Sequence, residues 1–157
     1  MINNTALYNL ANYETLHAEW DKDVNECKDL ALECCHYLHE AIRACYKRDT
    51  KNGIVTVDYS IADKMRDRFD LVHKENWVTP VIEMNNEMFS KSLNPDVQHL
   101  ANAGMNGLRA YLTIPPKNDQ DKLEILEYIE RMQPIMANYK KVMTNLLKEE
   151  KAIVSAI

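Results

Sequence analysis

Hydrophobic positions recur along this chain at helical spacing from near its beginning to near its end. The first and longest stretch runs from Tyr13 to Cys45. Its apolar seam consists of Tyr13, Leu16, Trp20, Val24, Cys27, Ala31, Cys34, Leu38, Ile42 and Cys45. The steps of 3, 4, 4, 3, 4, 3, 4, 4 and 3 contain no Gly or Pro, close to the alternation of a coiled-coil seam. Such a seam predicts one long helix that must be buried against another. The preceding residues, Asn3 to Leu10, either extend this helix or form a short turn of their own.

Four further helices follow from the same periodicity and from stop and start signals. Arg43, Lys47, Arg48 and Lys51 place positive charge at the end of the first helix, where its dipole favours it, and Asn52-Gly53 closes the segment. Ile54 to Tyr59 reads as an extended linker, since a lone strand has no partner here. Ser60-Ile61-Ala62-Asp63 resembles a capping box and opens a second helix to about Lys74, with Ile61, Met65, Phe69 and Val72 on one face. Thr79-Pro80 and Asn94-Pro95 each pair a cap with proline at the first helical position. They predict a third helix to about Lys91 and a fourth to about Leu112. The fifth runs from about Gln120 to Val154, with the stripe Leu123, Leu126, Ile129, Met132, Met136, Tyr139, Met143 and Leu146. Pro134 inside it predicts a kink near residues 130–134.

At 1.5 Å per residue the first and fifth helices are each roughly 50 Å long, far beyond a compact radius of gyration of about 15 Å. The expected fold is all-α: one domain spanning residues 1–157, an elongated antiparallel bundle of about five helices in four layers. Helices two and three would join as one broken rod beside the first. Only 3 glycines occur among 157 residues, which also argues for helices over turn-rich β architecture. The hydrophobic share of 46% and charged share of 27% are those of a folded soluble domain.

A net charge of −5 offers no electrostatic drive toward nucleic acid or anionic membrane. No apolar run reaches the roughly 18 residues of a membrane span, and the first residues lack a signal peptide's pattern. A cytoplasmic location is the expectation. Cys27, Cys34, Cys35 and Cys45 all lie on the first helix, spaced so that no intrachain disulfide closes while it is intact, which fits reduced thiols. Fifteen asparagines, several in mid-helix, run against helix propensity. They fit an A/T-rich coding sequence of the kind common in phages, or polar contacts that set helix register.

Candidate chemistry is sparse. Glu33 and His36 form an E-x-x-H step of the kind used in di-iron bundles, but no second such step comes from another helix. Cys35 and His39 share a face, with His73 and His99 too distant in sequence to complete a recognisable zinc pattern. Two acidic rows, Glu26 with Asp29 and Glu124 with Glu127, resemble those with which all-α nucleotide pyrophosphohydrolases hold Mg²⁺, although that family keeps its pairs on consecutive helices. Small residues (Ala101, Ala103, Gly104, Gly107 and Ala110) give the fourth helix a face for close packing or for a ligand. No phosphate loop or nucleophile elbow is present.

The leading expectation is a non-enzymatic interaction protein, an adaptor, inhibitor or assembly factor, with no cofactor and a protein partner or a second copy of itself. Met84, Met88, Phe89 and Met105 are its expected contact residues, because adaptable side chains suit such surfaces. The alternatives are a Mg²⁺-dependent nucleotide hydrolase using Glu26, Asp29, Glu124 and Glu127, or a bundle that binds a small ligand.

Overall fold

A computed structural model describes residues 3–47, 53 and 57–157. Arg48, Lys51, Asn52 and most of the expected linker (Ile54 to Thr56) lie outside the described residues. The fold is all-α. A short helix α1 (Asn4–Ala11) is capped by the Asn3 side chain, and the long α2 (Tyr13–Lys47) follows it after a single turn residue. α3 (Ser60–His73), a π-helical turn (Lys74–Val78) and α4 (Thr79–Ser90) make one continuous rod. A crossover of α5 (Pro95–Gln98) and α6 (Met105–Thr113) leads to α7 (Asp119–Ala156).

The joined rod shows how a local stop signal loses to packing. Thr79 is no cap: residues 78 and 79 are both right-handed helical, and the Thr79 N–H donates to the Lys74 carbonyl five residues back. That wide turn directly precedes Pro80, whose ring would otherwise crowd the carbonyl of Asn76. The Asn76 side chain donates to the Val72 carbonyl (2.8 Å) and accepts from Asn138 on α7 (2.9 Å), pinning the turn from both sides. α3 likewise begins without a Ser60 cap, because the Asp58 carboxylate accepts the Ser60 N–H instead (3.0 Å). Asn94 does cap its helix as Asn94-Pro95 implies, and the Asn118 side chain caps α7. α7 continues through Pro134, with the neighbouring Met132 and Met136 fully buried on either side.

The expected fourth layer is where the fold departs from the periodicity. Residues 99–104 leave the helix, and both Asn102 (φ 66°) and Gly104 (φ 64°, ψ −143°) adopt positive φ. Those are conformations that Asn and Gly tolerate and that end a helix. Three long rods result in place of four layers, so consecutive rods are antiparallel but α2 and α7 run parallel. Residues 109 apart in sequence lie level with each other. The Cys27 and Cys34 thiols reach toward the Met136 and Met143 carbonyls (4.0 and 3.8 Å), and Lys122 sits over the Tyr13 ring. Small cysteines at heptad spacing let these two rods approach closely.

Along the Tyr13–Cys45 seam Trp20, Cys27, Cys34 and Cys45 are buried, and Tyr13, Leu16, Val24, Ala31 and Leu38 are half-buried. Ile42 is the departure: it is 38% exposed while its neighbour Ala41 is fully buried, so the seam drifts by one residue toward the end of α2. All four cysteines are free. Gly107 explains the small face of α6: a Cβ there would lie 3.4 Å from the Leu100 carbonyl and from the Phe89 ring. The face serves close packing inside the domain. No described helix is long and apolar enough to cross a membrane.

Candidate functional site at the open end of the bundle

The contact residues expected from sequence are mostly core. Met84 and Phe89 are buried, and Met88 and Met105 are half-buried against the main cluster. Their helix faces inward along its Met and aromatic stripe, where flexible thioethers fill gaps between Trp, Tyr and Phe rings. Met84 and Phe89 are thereby taken up by the core, while Met88 and Met105 keep part of their surface.

The acidic rows do not converge either. Parallel alignment sets Glu124 and Glu127 level with residues 15 and 18, about 12–17 Å along the axis from Glu26. Each row already has another task. Glu26 and Asp23 both accept from Lys140 (2.7 and 3.0 Å), while Glu124 accepts the Ser92 hydroxyl (2.7 Å) and the Leu93 N–H (2.9 Å). Among the described residues no group of His, Cys, Asp and Glu could hold a metal ion. Glu33, His36 and His99 are exposed. His73 stacks on Phe69 and bonds the Tyr139 hydroxyl (2.6 Å), and its burial holds its pKa below the usual value.

One polar residue stands apart at the other end of the molecule. Glu150 is 1% exposed, and neither carboxyl oxygen has a hydrogen-bond partner among the described residues. It lies on the buried stripe of α7, seven residues beyond Met143, and the offset of 109 sets it level with Ala41. Its nearest sulfur neighbour is Cys34, whose thiol points toward the Met143 carbonyl at 3.8 Å. Burial pushes the Glu150 carboxyl up to about 7, with the Cys34 contact pulling the other way. The same surroundings push the Cys34 thiol well above its ordinary value, and burial raises Cys27 to about 11, so neither is a ready nucleophile.

Glu150 forms part of the wall of an open groove of about 460 Å³ between α3 and the last turns of α7. The walls are otherwise largely apolar, with Ile61, Met65, Leu146, Ile153 and Ile157, while Lys64, Arg68 and Glu149 stand at the lip. Arg68 and Glu149 pair across it at 3.4 Å. A second groove of about 480 Å³ opens on the other side of α3, between it and α2, lined by Cys35, Leu38, His39, Ile42, Tyr59 and Ala62 among others. The two grooves flank a small cluster of Ala41, Cys45, Ala62 and Met65, which is separate from the main core. Its small side chains leave the rods poorly filled here.

The sequence carried a usable signal for Glu150. It falls four residues after Leu146 and seven after Met143, in phase with the apolar stripe. A charged residue in that phase marks either the end of burial or a buried polar site. Comparison with protein-family models, curated proteins and solved structures finds no match.

Proposed function

We propose that this chain is a non-enzymatic interaction protein that receives a helical segment of a partner protein in the groove between α3 and α7. The observation that carries this reading is the uncovered apolar groove at the open end. The α5–α6 crossover packs against α4 at the opposite end, where a more polar groove of about 420 Å³ remains beside Tyr13, His17 and Tyr111; no such segment lies beside Ile61, Met65 and Ile153. An amphipathic helix laid there would bury its apolar face in the manner of helix-in-groove recognition. Half-exposed Ile153 and Ile157 would be covered by it.

Catalysis has no comparable support, because the acidic rows are separate and burial pushes the Cys27 and Cys34 thiols up, away from the reactive thiolate. The test is selection of displayed helical peptides against the full chain, followed by methyl NMR mapping. The expected result is that enriched peptides shift the methyls of Ile61, Met65, Ile153 and Ile157. Enrichment of peptides that shift none of these, or no enrichment at all, contradicts the reading.

A further inference from the structure

We infer that the helix received by this groove carries one basic side chain, lysine or arginine, that pairs with Glu150. The inference rests on the docking reading above and names the chemistry of the occupant. Its basis is a carboxyl more than nine-tenths buried on the wall of the groove, with no cation paired to it among the described residues. An unpaired buried carboxylate is among the costlier things a fold can contain, and an apolar residue of similar volume at this stripe position would remove that cost. Every neighbouring element has been called upon already. On α2, Ala41 is apolar, and the Cys34 thiol, which points toward the Met143 carbonyl, makes only a loose, neutral contact with the Glu150 carboxyl and brings no positive charge. On α3, Met65 and Ile61 are apolar and Arg68 is paired to Glu149, while Lys64 stands exposed at the lip. On α7, Glu149 adds like charge and Lys151 lies over the Tyr37 ring at 5.8 Å. No cation of the described residues is left for Glu150, so the donor is placed outside the chain, entering through the groove whose wall Glu150 helps to form. A basic residue flanked at helical spacing by apolar ones meets both demands at once: its stem lies along the apolar wall and its charge reaches the carboxylate.

The experiment uses the full chain and the peptides that the methyl mapping places in the groove. Aligned, they should share Lys or Arg at one position. Replacing it with norleucine should weaken binding by about tenfold or more on the wild-type protein, the usual worth of a charge-assisted hydrogen bond. On the Glu150→Gln protein the same replacement should cost about twofold or less. In the free protein, Lys64→Met should leave the Glu150 titration, followed by carboxyl ¹³C NMR, where it was. Groove-binding peptides with no common basic position, or an equal loss on both proteins, overturn the inference while the docking reading stands. A rise of the Glu150 midpoint in Lys64→Met overturns it too, because Lys64 would then be the partner. Absence of any groove-binding peptide overturns the docking reading itself.

Discussion

The two ends of this bundle treat buried acid groups in opposite ways. At the end covered by α5 and α6, Asp121 is 8% exposed and accepts the Lys117 N–H (2.8 Å), and Glu124 holds the Ser92 hydroxyl and the Leu93 N–H. Those carboxylates fasten the loops before and after the crossover. Around them Trp20, Phe89, Tyr111 and Tyr128 form an aromatic cluster with ring centroids 4.8–6.0 Å apart. At the open end the filling is Ala41, Cys45, Ala62 and Met65, and among the described residues no cation or strong hydrogen-bond donor pairs with Glu150. Where the chain needs a carboxylate for its own structure, it supplies donors. Among the described residues Glu150 is supplied with none.

This contrast can be broken at several points. The largest effect is expected at the covered end: Trp20→Ala should destabilise the protein by about 4 kcal/mol in urea unfolding, the range for losing a large buried aromatic. A loss below about 1 kcal/mol would mean that the aromatic cluster does not anchor the fold.

Glu150→Leu should act in the opposite direction. The folded-state carboxyl titrates near 7, above its ordinary 4.5, so folding favours the protonated form. That contribution is fully present below about pH 4.5 and is lost as pH rises through 7. The shift corresponds to about 3 kcal/mol, which Glu150→Leu should recover at pH 8 while flattening this part of the stability profile. His73 works against it in an overlapping window. Its depressed pKa contributes stability above about 6.5 that is lost on acidification. The profile of the Glu150→Leu protein therefore isolates the histidine's contribution. A wild-type profile unchanged by the substitution would remove Glu150 from the account.

Gly104→Ala should cost about 2 kcal/mol, because φ 64° with ψ −143° is closed to residues with a Cβ whatever the surrounding space. The smallest effect is expected at Lys140→Met, which removes a partly exposed bridge to Asp23 and Glu26 and should change stability by about 1 kcal/mol or less. If it cost as much as Trp20→Ala, surface ion pairs rather than the rod seams would be holding α2 to α7.

The long rods were legible in the sequence because a buried helix face repeats over many turns, and both α2 and α7 fall within a few residues of their expected bounds. Single punctuation marks were less reliable. Thr79-Pro80 looks like a start, yet the rod passes through it on a π turn because Trp77 and Val81 on either side are both buried. The reverse holds at Asn102 and Gly104, where helical spacing continues in the letters while the backbone turns away. That break removed the fourth layer and with it the antiparallel relation of the first and last rods. No local pattern encodes relative rod direction, so the separation of the acidic rows could not be read beforehand. Met84 and Phe89, expected at a contact surface, are core for the same reason: periodicity identifies an apolar face but not what covers it. Glu150 was legible in phase and invisible in consequence, since only the packing shows that no donor reaches it.

The most direct test of the central claim is a carboxyl ¹³C NMR titration of Glu150 in the free, full-length chain. A buried carboxyl without an internal partner predicts a midpoint near 7. A midpoint in the ordinary carboxylate range, about 4.3, would show Glu150 to be solvated or paired within the chain and would contradict the account.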